Sequence, residues 1–197
     1  MIREVLCFLR RHWPHLLLAV PGALLVTVLH EAAHAAVAML QGGTLLEFVW
    51  LPGGGHWGYV SYDFPAGVPY SSFVISIAPY VLWLGFAALA MLLSLRRRKY
   101  AYWQASILYL WLFVVPLADI ANAAFPYLRG QHNDFHSAFG PPSVYDEPLV
   151  GLACVMAITI GYWLQRRLYR EEGLGLAAYL VLSTVMVVMI GVATGSI

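Results

Sequence analysis

Long apolar runs separated by short polar stretches dominate the chain. Each run is long enough to cross the hydrocarbon core of a bilayer as a helix, at about 1.5 Å per residue. The runs cover residues 16–40, 72–95, 104–125, 149–165 and 174–195. The pattern therefore predicts an all-α polytopic membrane protein with about five transmembrane helices.

Between the first two runs the pattern changes to one that favours strands. Residues 44–51 and 56–62 are rich in β-branched and aromatic side chains, and Pro52 and three glycines separate them. Such a sequence predicts a β-hairpin over 44–62, after the first helix.

The chain therefore divides into three parts. Residues 1–15 are predicted to form an interfacial amphipathic segment, with Arg11 and Trp13 at the membrane surface. Residues 16–140 form a membrane core that includes the hairpin, and 141–197 contain two C-terminal transmembrane helices. The composition fits this division, because 61% of the 197 residues are hydrophobic and only 11% are charged.

The basic residues predict an orientation. Ten of the eleven fall on one side of the alternating runs, and only Arg129 falls on the other. Basic residues concentrate in cytoplasmic loops, so we expect a cytoplasmic N-terminus and a hairpin on the extracytoplasmic side. The basic run at 96–99 adjoins a transmembrane run, which indicates a topology signal or contact with the lipid bilayer; no nucleic-acid partner is expected.

The first run contains the only strong chemical motif, His30-Glu31-Ala32-Ala33-His34. Residues four apart lie on one face of a helix, so His30 and His34 can bind the same metal ion. Glu31 lies about 100° round the same turn, where it can act as a general base on a water molecule. Ionisable groups inside a membrane are costly, and their presence indicates a function. The motif predicts a Zn²⁺ site with Glu31 as the catalytic residue.

A catalytic zinc site normally takes a third protein ligand. The polar residues predicted to lie on the same side as the motif offer several candidates. These are Asp119, Asn122, His132, Asp134 and His136. Pro126 is predicted to end the third helix and to let the chain turn back towards the membrane.

With these residues in view, the chain resembles the site-2 protease family of intramembrane zinc metalloproteases, as a compact member. The resemblance rests on His30–His34, on Ser76-Ile77-Ala78-Pro79 in the second run, and on Asn122-x3-Pro126 leading to Asp134. The resemblance covers about residues 25–140. These residues make up most of the predicted membrane core, so the core at 16–140 is the metalloprotease-like part of the chain. Its two weaker motifs become informative only beside the first.

The resemblance implies roles for residues outside the His-Glu motif. It makes Asp134 the third metal ligand. His136 and His132 stay open as alternatives, because Phe135 follows Asp134 where the family has glycine. It also implies that the hairpin is membrane-associated and holds substrate as an added strand. Asn122 and His56 are predicted substrate contacts.

The predicted activity is hydrolysis of peptide bonds in a membrane-embedded or membrane-proximal protein or peptide. The alternative is a non-proteolytic metal-binding membrane module, or an inactive relative that acts as a binding or regulatory partner. A transporter or assembly factor would use the polar groups as a pathway, but the sequence has no internal repeats to suggest one. A membrane di-iron oxygenase needs more clustered ligands than this chain has.

Overall fold

The computed structural model describes residues 6, 10, 17–50, 58–96, 100–169 and 179. Within them lie five helices and two strands in the order α1, β1, β2, α2, α3, α4 and α5. The helices are α1 (Ala19–Leu40), α2 (Ser72–Leu95), α3 (Tyr102–Leu128), α4 (Asp134–Phe139) and α5 (Asp146–Tyr169). The strands are β1 (Thr44–Val49) and β2 (Tyr59–Asp63).

Helices α1, α2, α3 and α5 are each long and apolar enough to cross a membrane. They occupy the first four predicted runs, which gives the described part of the chain the character of a helical multi-pass membrane protein. The fifth predicted helix, at 174–195, lies outside the described residues except for Tyr179. The interfacial segment at 1–15 likewise lies outside them, except for Leu6 and Arg10.

The predicted hairpin is confirmed. Strands β1 and β2 pair antiparallel, with Thr44 opposite Asp63 and Val49 opposite Tyr59. The register shifts between Leu45 and Glu47, so one residue of β1 is extra at that point. The predicted strand ends at 51 and 56 fall within 51–57, which the structure does not describe.

Gly58 sets how closely β2 approaches α1. A Cβ atom on this residue would lie 2.9 Å from Cγ2 of Thr27 and 3.2 Å from Cγ of Glu31. Any larger residue would push the start of β2 away from the helix that carries the His-Glu motif. Glycine is therefore required here for close approach.

The prediction that Pro126 ends the third helix is wrong. Helix α3 runs through Pro126 to Leu128, and its middle turn, Leu110–Val114, is π-helical. The end is closed instead by hydrogen bonds from the N–H groups of Arg129 and Gln131 to the carbonyl of Pro126. Gly130 then reverses the chain with a φ of 75°, which glycine adopts at little cost.

A buried cluster of Val26, Tyr80 and Trp83 joins α1 to α2. Partly buried side chains from α3 and Phe135 from α4 pack against this cluster. The short helix α4 is thereby held against three long helices, directly beside the His-Glu motif.

Candidate metal centre

Three side chains from two separate elements converge on one point. His30 and His34 project from the same face of α1, and their Nε2 atoms lie 3.1 Å apart. Asp134, the first residue of α4, places Oδ2 at 3.1 Å from Nε2 of His30 and 3.3 Å from Nε2 of His34. This group of His30, His34 and Asp134 can hold a metal ion.

The partners of the other ring nitrogens favour one form of the two histidines. Nδ1 of His34 lies 2.8 Å from the carbonyl oxygen of Ile75, which can only accept a hydrogen bond. Nδ1 of His30 lies 2.8 Å from Oδ2 of Asp119. With the Nδ1 atoms donating, both Nε2 atoms of the neutral rings direct lone pairs at the shared point, as metal-binding histidines do.

The donor set and its dimensions fit a tetrahedral metal site. Two imidazole nitrogens and one carboxylate oxygen are a usual ligand combination for zinc, with metal–ligand distances of about 2.0–2.2 Å. In a tetrahedron of that size, neighbouring ligands lie about 3.3–3.6 Å apart. The separations of 3.1, 3.1 and 3.3 Å are close to one face of such a tetrahedron.

The third ligand is anionic. Burial raises the pKa of the Asp134 carboxyl, but the hydrogen bonds and positive charges of His30 and His34, when these imidazoles are protonated, outweigh burial and lower that pKa below its usual range. Tyr80 also donates a hydrogen bond to Oδ2 of Asp134, at 3.0 Å. A carboxylate next to two neutral imidazoles favours binding of a divalent cation.

Asp119 does not join the ligand group. Its Oδ2 faces Nδ1 of His30, on the side of the ring away from the shared point, and it also accepts a hydrogen bond from Nε1 of Trp83 at 2.8 Å. Of the two aspartates that were candidate third ligands, Asp134 belongs to the ligand group and Asp119 does not. Its contact instead fixes the orientation of the His30 ring, because an imidazole held at one nitrogen cannot rotate away.

Local contacts explain why Asp134 reaches the histidines. Oδ1 of Asn133 caps α4 by accepting a hydrogen bond from the N–H of His136, and Nδ2 of Asn133 donates to the carbonyl of Ala123. Phe135 packs against Tyr80 with ring centroids 4.6 Å apart. The Phe135 ring thus anchors the start of α4 and leaves Asp134 free to point at α1.

His136 and His132 lie away from the ligand group. Asp134 and His136 could both face the two histidines only in an extended segment, where side chains two residues apart point the same way. Both residues belong to α4, where side chains two apart are turned by about 200°. His136 instead contacts His132, with ring centroids 4.6 Å apart.

The ligand group of His30, His34 and Asp134 borders a cavity of about 790 Å³. Glu31, which is only 9% exposed, lines it beside the two histidines. The predicted substrate contact Asn122 lines the same cavity, as does His132. Strand β2, through Tyr59, Val60 and Tyr62, lines the cavity together with Gly58, which precedes the strand. The other predicted substrate contact, His56, lies outside the described residues.

The sequence analysis did not identify two hydrogen-bond donors at this site, the hydroxyl of Tyr80 and the indole N–H of Trp83. Both come from α2, and each donates to one of the two aspartates that flank His30. One signal for them is present in the sequence. Ser76, Tyr80 and Trp83 have polar groups at spacings of four and three, which places them on one face of an otherwise apolar helix.

Comparison with models of protein families, with curated proteins and with solved structures finds no match to this chain.

Proposed function

We propose that the chain is an intramembrane zinc metalloprotease of the kind found in the site-2 protease family. One observation carries the proposal: His30, His34 and Asp134 converge at ligand distances beside the buried Glu31, in a cavity between helices long enough to span a membrane. Pairing of a His-Glu-x-x-His helix with a third acidic ligand favours a hydrolase over a site that only stores a metal.

Zinc is the metal that the donor set favours, because mixed nitrogen and oxygen ligands in a tetrahedral arrangement suit it. When bound, zinc polarises the scissile carbonyl and makes a water molecule acidic enough to give up a proton near neutral pH. Asp119 and the carbonyl of Ile75 hold the two imidazole rings in the orientation that this requires.

Glu31 is the proposed general base. It lies between the two histidines in sequence and lines the cavity with them, but it is not part of the ligand group. In this position it can accept a proton from the attacking water and deliver it to the nitrogen of the leaving amine.

Strand β2 is the proposed binding site for substrate. A peptide bond is shielded while its segment remains helical in the membrane, so the substrate must be extended before cleavage. In the described part of the chain, β2 pairs along one edge with β1, and its residues border the cavity. A peptide added along β2 would run past the group of His30, His34 and Asp134, and Asn122, which lines the same cavity, can hold the peptide backbone.

The test combines metal analysis with a cleavage assay on the full chain. Purified protein should contain about one zinc ion per chain, and chelation should stop cleavage of a co-expressed single-span membrane substrate. If the protein binds zinc but does not cleave even substrates whose transmembrane helix has been destabilised, that result would favour the non-proteolytic metal-binding module. Absence of bound metal from protein prepared in zinc-containing medium would contradict both functions.

We also propose that the hairpin and the cavity mouth face the extracytoplasmic side, on the basis of the ten-to-one distribution of basic residues. The exposed residues Ala66 and Arg96 flank α2 and report on its two ends. In a background with Cys7 and Cys154 replaced by serine, Ala66→Cys should react with a membrane-impermeant thiol reagent in intact cells. Arg96→Cys should react only after permeabilisation, and the opposite pattern would reverse the orientation.

A further inference from the structure

The third ligand comes from outside the helix that carries the other two. His30 and His34 lie one turn apart on α1, so their relative position is fixed by that helix. Asp134 lies on the six-residue helix α4, about 100 residues further along the chain. Something must hold α4 at the distance that metal binding requires.

Tyr80 makes the most direct contact of this kind. It is buried on α2, with only 6% of the residue exposed, and its hydroxyl donates to Oδ2 of Asp134 at 3.0 Å. Its ring also lies edge-on to His30, with centroids 5.7 Å apart and planes at 85°. Tyr80 thus touches a ligand from each of the two elements.

The oxygen that Tyr80 contacts is the one that faces both histidines. A carboxylate oxygen has two lone pairs in its plane. When the phenol takes one of them, the remaining lone pair of Oδ2 stays available to the point shared by the two Nε2 atoms. The hydrogen bond therefore fixes both the position of Asp134 and the direction from which Oδ2 can bind a metal.

We propose that Tyr80 is a positioning residue of the metal centre, which acts through Asp134 to hold the ligand of α4 against the two ligands of α1. This inference rests on the proposed function in assuming that the group binds metal. It assigns the effect to the hydroxyl alone, because the contact between the rings of Tyr80 and Phe135 would persist with phenylalanine at position 80.

The chain offers a closely matched control in Tyr127. Its hydroxyl also donates to an aspartate at 3.0 Å, and its ring also packs edge-on against Phe135, at 6.0 Å. The aspartate in this case is Asp146, which is outside the ligand group. Tyr127→Phe thus removes the same kind of hydrogen bond beside the same phenylalanine without touching a metal ligand.

The experiment compares Tyr80→Phe and Tyr127→Phe in the full chain. Zinc affinity is measured by competition with a chromophoric chelator, and ligand geometry by the visible absorption of protein loaded with Co²⁺. We expect Tyr80→Phe to weaken zinc binding about 10- to 100-fold and to change the Co²⁺ spectrum. Tyr127→Phe should match the wild type in both measurements.

Two outcomes would overturn the inference while leaving the proposed function in place. In the first, the wild type binds zinc and Tyr80→Phe binds it equally well. In the second, both variants weaken binding to the same degree with unchanged Co²⁺ spectra, which is the result of general loosening of the fold. If the wild type binds neither metal, the proposed metal centre fails and the inference falls with it.

Discussion

Glu31→Gln is expected to abolish peptide cleavage and to leave the metal content unchanged. The substitution keeps the shape of the side chain but removes the group that accepts a proton from water. Loss of a general base typically costs about 10²- to 10⁴-fold in rate. Zinc should remain bound because the ligand group consists of His30, His34 and Asp134, without Glu31.

The measurement is a cleavage time course with a co-expressed membrane substrate, paired with zinc analysis of the same purified variant. Glu147→Gln is the matched control, since Glu147 is an exposed residue in the first turn of α5. It should cleave at the rate of the wild type. Loss of zinc from Glu31→Gln would show that Glu31 is a ligand, and cleavage at a normal rate would show that it is not the base.

Asp134→Ala is expected to remove zinc and activity about as completely as His34→Ala. Each substitution deletes one of three ligand atoms, and Asp134 also supplies the negative charge that offsets one charge of the ion. The loss in affinity should exceed the roughly 10- to 100-fold effect of removing a residue that only supports a ligand. Zinc titration and the cleavage assay measure the two effects separately.

His136→Ala is the control for this experiment, because it lies two residues away on the same short helix. Its ring contacts His132 and is outside the ligand group, so the variant should retain zinc. Zinc retained by Asp134→Ala and lost from His136→Ala would assign the third ligand to His136. The position of Asp134 would then differ in the metal-bound protein.

The sequence alone was sufficient for features that depend on local spacing. The apolar runs predicted α1, α2, α3 and α5 because a membrane-spanning helix must satisfy its backbone within itself, which leaves a long hydrophobic signature. Proline and glycines between two strand-like segments predicted the β1–β2 hairpin. The sequence also predicted that His30 and His34 share one face of α1, because helix geometry alone sets their relative position.

The end of α3 shows where local rules were insufficient. Pro126 was expected to stop the helix, yet it sits within the last turn. Proline forbids a helical hydrogen bond at its own nitrogen but not a final turn beyond it. Gly130, with its positive φ, and the hydrogen bonds to the carbonyl of Pro126 determine the reversal instead.

The choice of Asp134 among the candidate ligands depended on the tertiary structure. Asp119 and His136 are as suitable chemically, and the sequence gives no distance between α1 and α4. Packing of Phe135 and capping by Asn133 direct Asp134 towards the histidines, while α-helical geometry turns His136 away. Asp119 reaches the opposite nitrogen of His30 because α3 passes that side of the ring.

The sequence by itself therefore determined the membrane-spanning helices, the hairpin and the two histidines with Glu31, because each depends on residues close together in the chain. Only the tertiary structure decided which carboxylate joins the histidines and which groups support it. The hydrogen bonds of Tyr80 and Trp83 to the two aspartates join residues 54 and 36 positions apart. Contacts over such separations arise from helix packing, which leaves no periodic pattern in the sequence.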